Sequence, residues 1–294
     1  PAVLTYLNFP VRTPSEQFVN PISTGTAAHS DLREAVLGGL LEVIERDSIA
    51  LTWLQRLRLP AVAVDPSTLG EEVAEYHRVG TSTELETHLF DATTDYGVPT
   101  LYAVQTSQVD PELAQVVAAT CDIDPQRALA KIHRELASLR IALRSHARGP
   151  RAQEIKGQDL TVVGSALADA ELSMRHVFDF LLEGERPVHA LDGIGTLGEP
   201  VPGADGSDAD DPLEQVVANL ERAGAEAIVV DITTDEARQV GMHVIKALIP
   251  EAMPLSFSHH ARYLATPRLY QAPRAMGLTV HDEAGINPVR QPFA

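Results

Sequence analysis

The sequence predicts an α+β fold of two packed lobes, and three observations predict it. Residues 31–57 and 124–146 each repeat apolar side chains at helical spacing. Residues 88–104 read as strand, turn, strand. Finally, Phe90-Asp-Ala-Thr-Thr-Asp-Tyr-Gly recurs as Val230-Asp-Ile-Thr-Thr-Asp-Glu, and each copy leads into a small apolar strand, at Gly97-Val98 and Gly241-Met242. The separation, 231 − 91 = 140 residues, is far too long for a solenoid and suits two similar lobes. Asp and Thr are also favoured at such turns, so two independent turns could draw the same residues.

The elements follow in order. Residues 1–22 read as extended and are punctuated by Pro10, Pro14 and Pro21. The helix over 31–57 has Ser30 or Asp31 as its N-cap, and Pro60 lies beyond its end. Residues 62–64 are β-like, and 68–78 read as helical. The helix over 124–146 opens with the cap-and-N1 pair Asp124-Pro125. A third helix is expected over 169–183. The Pro/Gly/Asp-rich run 199–212 reads as a mobile acidic loop. Residues 211–223 then form a helix, 227–232 and 242–249 form strands, and 288–294 form a short tail.

Composition excludes several functions. The chain has 294 residues and is 44% hydrophobic, enough to bury a core. With 23 basic and 41 acidic residues its net charge is −18, a field that repels nucleic acid and anionic membranes. A nucleotide remains admissible with Mg²⁺ as mediator. The single cysteine, Cys121, rules out a disulfide framework and multi-cysteine metal sites, and fits a reducing cytoplasm. No uninterrupted apolar stretch approaches the roughly 18 residues of a membrane span. The chain starts at Pro1, without Met, which suggests a missing upstream segment.

The most informative segment is Glu34–Asp47. At about 100° per residue, Glu42 lies near 80° and Glu45 near 20° from Glu34, while Val36, Leu37, Leu40, Val43 and Ile44 occupy the opposite face. The acids are about 12 and 4.5 Å apart along the axis. Arg46 stands four residues after Glu42 and can pair with it. In so acidic a chain this stripe reads either as a solvated face or as a hard-cation site in which Mg²⁺ holds nucleotide phosphates.

The run Ser23-Thr-Gly-Thr-Ala-Ala-His-Ser-Asp-Leu-Arg-Glu34-Ala, continuing to Glu42-Val-Ile-Glu45-Arg46-Asp47, resembles the signature of the YcaO family. That signature reads Ser-Asn-Gly-x-Ala-x-Gly-Asn, then Glu-Ala, then Leu-x-Glu-x-x-Glu-Arg-Asp. Thr24, His29 and Ser30 stand where Asn, Gly and Asn are commoner. Ala128-Leu…Glu135-x4-Arg140, Val230-Asp-Ile-Thr-Thr-Asp…Pro250, Arg268-Leu-Tyr-Gln and Asn287-Pro-Val-Arg-Gln-Pro-Phe-Ala also resemble family segments, so the likeness runs the length of the chain. It implies a YcaO-like two-lobe fold with mixed and antiparallel sheets and packed helices. The N-terminal lobe would be incomplete, because family members carry about one further lobe ahead of this point.

The resemblance implies ATP and Mg²⁺ as cofactors, bound without a P-loop, and no Gly-x4-Gly-Lys-Ser/Thr run is present. Glu34, Glu42 and Glu45 would be metal-side ligands and Arg46 would contact phosphate. Ser30, Glu135 and Arg140 would support the nucleotide; Glu135 and Arg140 read equally as a lobe-stabilising ion pair. Pro292 and the Ala294 carboxylate belong to a tail that reaches the active site in such enzymes. The implied activity is ATP-dependent cyclodehydration of a ribosomal precursor peptide to thiazoline or oxazoline rings, of the thiazole/oxazole-modified microcin type. Thioamide formation and a non-catalytic docking subunit are the alternatives. The implied partners are the precursor peptide, a ThiF-like or leader-binding protein and a flavin-dependent dehydrogenase, with the chain a homodimer. Elsewhere, His259-His260 reads as a surface turn, His88, His133 and His243 as packed or surface residues, and Cys121 as a buried small residue.

Overall fold

The computed structural model describes residues 2–8, 10, 12–16, 18–19, 21–147, 162–197, 211–256 and 258–292. Eight strands are present among them: β1 (Thr26–His29), β2 (Ala61–Ala63), β3 (Leu85–Asp91), β4 (Thr100–Ser107), β5 (Gln115–Cys121), β6 (Val188–Ala190), β7 (Ile228–Asp231) and β8 (His243–Leu248). They form two sheets, ordered β1-β8-β7 and β5-β4-β3-β2-β6. Every pairing is antiparallel except β2 with β6, so the larger sheet is mixed. The helices are α1 (Ala2–Thr5), α2 (Leu32–Leu54), α3 (Glu71–Thr81), α4 (Pro125–Ala147), α5 (Val162–Ala168), α6 (Asp179–Leu182), α7 (Pro212–Arg222), α8 (Asp235–Gln239) and α9 (Arg268–Ala275).

α2 joins the lobes. Asp31, not Ser30, caps it by accepting from the N–H groups of Arg33 and Glu34. Its first half packs Leu37, Leu40 and Ile44 on Ile245 and Ala247 of the small sheet. Its second half packs Ile49, Leu51 and Trp53 on Tyr102, Val104, Val117 and Ala119 of the large sheet. The opposite face of that sheet, with Leu101, Ala103, Val116 and Ala118, carries Leu129, Ile132 and Leu136 of α4. α2 stops at Leu54 because Arg56 turns to φ 47° and Leu57 N–H returns to Thr52 O at 3.0 Å.

The recurring Asp-x-Thr-Thr-Asp runs build the same connection in the two sheets. Asp91 Oδ1 accepts from Thr93 N–H at 3.0 Å, and Asp231 Oδ1 from Thr233 N–H at 2.8 Å. Ala92 N–H then bonds Thr100 O, and Ile232 N–H bonds Val244 O, starting each antiparallel return.

Several expectations change. Within residues 1–22 lie α1 and a 3₁₀ turn, Pro14–Glu16, since a prolyl φ suits a helical first turn as well as an extended chain. The helix expected over 169–183 is a 3₁₀ segment, Leu172–Phe178, followed by α6; no side chain caps its start. Asp211 caps α7 and Pro212 opens it, as the helix reading over 211–223 expects, so the acidic run 199–212 ends inside a helix start; 199–210 lies outside the described residues. β5 went unread because it is buried at every position, which erases the alternation that marks a strand. α9 went unread because Pro273 interrupts its pattern.

Candidate active site

α2 and the strands beside it set the geometry of the acidic stripe. Glu42 Oε2 accepts from Gly25 N–H at 3.0 Å, and Glu45 Oε2 accepts from Cys121 N–H at 3.1 Å. Arg46 lies between the two acids, 3.8 Å from Glu42 Oε1 and 3.6 Å from Glu45 Oε1. Both separations exceed hydrogen-bond length, so the guanidinium compensates charge while its donors remain uncommitted among the described residues. The Glu45 side chain is 13% exposed. Burial pushes its carboxyl up to about 8, against Arg46 and the Cys121 N–H, with Glu135 and Glu42 adding to the rise. At neutral pH it therefore holds a proton that a bound cation would displace.

Arg46 opens onto a groove of about 460 Å³ between α2, β5 and α4. α4 contributes Lys131, Arg134, Glu135 and Ser138 at i, i+3, i+4 and i+7, a single helical face. Lys131 is anchored at 2.6 Å by the buried Asp122. The Glu135 carboxyl is raised by burial, with Arg46, Lys131 and Arg134 opposing. The groove therefore holds three cations beside one carboxylate, and Glu45 lies 3.6 Å from the Arg46 guanidinium that lines it.

Not every predicted residue joins this cluster. Glu34 stands exposed in the first turn of α2, and Ser30 is exposed before it. No three His, Cys, Asp or Glu residues among those described gather closely enough to hold a metal alone. Glu42, Glu45 and Arg46 do converge. Arg140 is turned away and forms no ion pair among the described residues: it donates to the Gln105 side chain, to Gln105 O at 3.2 Å and to Leu113 O at 2.9 Å. Burial lowers it to about 10. It ties α4 to the strands and is absent from the groove lining. Pro292 is buried beside Gln115, Val117 and Leu139, the last two of which also line the groove. Ala294 lies outside the described residues. Cys121 is buried as expected, and burial pushes its thiol up, so its backbone N–H rather than its sulfur serves the site.

The family model described as YcaO cyclodehydratase, ATP- and Mg²⁺-binding, matches residues 1–253. The chain belongs to the YcaO family. An uncharacterised protein of Methanothermobacter thermautotrophicus is 30% identical over 236 residues, 78% of this chain and 55% of its own. In fold, this YcaO protein is similar to a heterocyclase solved in complex with substrate and cofactor, with TM-score 0.73 and 23% identity over 100% of this chain and 36% of the other. It is also similar to the YcaO of Methanopyrus kandleri bound with AMPPCP and Mg²⁺, with TM-score 0.56 and 20% identity over 81% and 57% of the two chains. The chain thus spans about a third to just over half the length of these relatives. Among the described residues, no helix is long and apolar enough to cross a membrane.

Sequence reasoning missed three features in and around this candidate site. The face of Lys131 and Arg134 was detectable from its helical spacing. The next two carried no local signal. Asp47, fully buried and adjacent to Arg46, takes both Arg268 Nε and Nη2 at 2.7 Å, and Arg268 also holds Asp95 at 2.8 Å and lies 3.5 Å over the Tyr96 ring. Lys246, 2% exposed on β8, donates to Ile22 O at 2.7 Å and Thr24 O at 2.6 Å.

Proposed function

We propose that this YcaO protein binds Mg-ATP in the groove between α2 and α4 and activates backbone amides of a ribosomal precursor peptide, closing thiazoline or oxazoline rings. Arg46 carries the reading. It is a part-exposed guanidinium with uncommitted donors, bracketed by two carboxylates, at the mouth of a groove lined by Lys131 and Arg134. The donor set fits the metal: Mg²⁺ is typically held by one or two carboxylates plus phosphate oxygens, and Glu42 and Glu45 supply two. Glu34 and Ser30 stand apart from this pair, exposed at the start of α2.

Bound Mg-ATP would supply a phosphoryl group, leaving ADP, to the oxygen of the amide that a Cys, Ser or Thr side chain has attacked; that oxygen then leaves as phosphate, the side-chain and amide protons pass to solvent, and a C=N bond remains. The protein's own groups position and neutralise. Arg46 would meet phosphate oxygens with planar, paired donors. Lys131 and Arg134 add charge along the α4 wall. Glu45 would hold the cation as a carboxylate, its proton passing to solvent, which couples loading to pH. Pro292 anchors the tail where β5 meets the groove. A leader-binding or ThiF-like partner presents the peptide, and a flavin-dependent dehydrogenase acts on the finished ring.

The test is mass spectrometry of precursor peptide incubated with the protein, its partner and Mg-ATP. A loss of about 18 Da per ring is expected; a gain near 16 Da would mean thioamide formation, and an unchanged peptide with no ATP turnover would overturn catalysis.

A further inference from the structure

The strand β8 carries one charge inside an apolar run. Its flanking residues Ile245 and Ala247 are fully buried, and Lys246 is 2% exposed. Lysines are almost never so buried without partners. Here the partners are two backbone carbonyls of the turn that leads into β1, Ile22 O and Thr24 O. Burial lowers the lysine, and Glu42 is the charge that opposes this shift.

The turn leaves little freedom. Thr26 N–H closes on Ser23 O at 2.8 Å, and Ala247 N–H holds Gly25 O at 2.7 Å. Gly25 has φ 83°, and a Cβ there would lie 2.2 Å from Ala247 O and 2.9 Å from Val43 Cγ2, so only glycine fits. The Thr24 carbonyl and the Gly25 N–H belong to one planar peptide unit and point in opposite directions. A donor fixed on Thr24 O therefore aims the Gly25 N–H, which meets Glu42 Oε2 at 3.0 Å.

We infer that Lys246 is a positioning residue for Glu42: its ammonium orients the Thr24–Gly25 peptide plane, whose N–H holds the Glu42 carboxylate in the geometry that receives the cation. This rests on the metal-side role proposed for Glu42. Such outer partners are typically worth about 10- to 100-fold in metal affinity.

Two readouts test it in the whole protein. The first is a double-mutant cycle of Lys246→Met and Glu42→Gln, read by calorimetry with Mn²⁺ and AMPPCP. Lys246→Met should weaken binding about tenfold when Glu42 is present and less than about twofold when it is Gln. Equal losses in both backgrounds would reduce Lys246 to a packing residue and overturn the inference. The second is amide exchange without nucleotide, in which Lys246→Met should speed Gly25 exchange while β4 amides stay protected; unchanged Gly25 protection would overturn it. If the wild type binds no Mn²⁺-AMPPCP, the proposed function fails and the exchange experiment alone decides Lys246. Lys246→Arg goes through both measurements in case the methionine variant does not fold. It keeps the charge and the donors on a longer, planar head, so a smaller loss with the same dependence on Glu42 is expected.

Discussion

Arg268→Met should be among the most destabilising single substitutions in this protein. Asp47 is fully buried, and apart from Met253 N–H at 2.8 Å, Arg268 supplies its donors, two of them at 2.7 Å. Methionine fills much of the volume but leaves the carboxylate buried and uncompensated. Breaking one side of a buried pair costs about 3–5 kcal/mol. Loss of the cation over the Tyr96 ring adds about 0.5–2 kcal/mol. A loss of about 4 kcal/mol or more is expected in urea unfolding at pH 7, a large fraction of the roughly 5–15 kcal/mol that stabilises a folded domain. Asp47→Asn in the same chain should recover at least about 1.5 kcal/mol, because the orphaned charge is then gone. A single-variant loss under about 1 kcal/mol, or strict additivity in the double variant, would refute the reasoning.

Two further outcomes follow from the same geometry. Folded Glu45 keeps its proton to about pH 8, whereas an unfolded glutamate releases it near 4.3, so the folded state binds more protons between these values. Stability of the cation-free protein should therefore fall as pH rises through that window, by at most about 1.4 kcal/mol per unit from this group, and Glu45→Gln should flatten the slope in thermal unfolding between pH 5.5 and 8. An equal slope in both proteins would contradict the burial argument. Arg140→Met should cost about 2 kcal/mol of stability through its lost hydrogen bonds to Gln105 and Leu113, yet leave nucleotide affinity within about twofold. A tenfold fall in affinity would return Arg140 to the site.

What could be read in the sequence was local. Helical spacing put Glu42, Glu45 and Arg46 on one face of α2, and they do meet there. Asp31, Asp124 and Asp211 announced helix starts through ordinary capping chemistry. What could not be read depends on burial or on distant pairing. β5 is buried on both faces and so shows no alternation. Glu34 shares the stripe but lies about 12 Å from Glu42 along the axis, a separation already legible in the spacing. Arg140 and Glu135 lie five residues apart, about 140° around the helix, so one enters the core while the other meets the groove. The Asp47–Arg268 lock joins residues 221 positions apart. Lys246 acts on carbonyls, which every residue type provides.

The most direct test of the groove as the nucleotide site is calorimetric titration of Mg²⁺ and AMPPCP into the wild type, Arg46→Met and Arg140→Met. Saturable binding is expected, weakened at least about tenfold by Arg46→Met and left within about twofold of wild type by Arg140→Met. Binding that is absent in the wild type, or unchanged by Arg46→Met, would contradict this assignment.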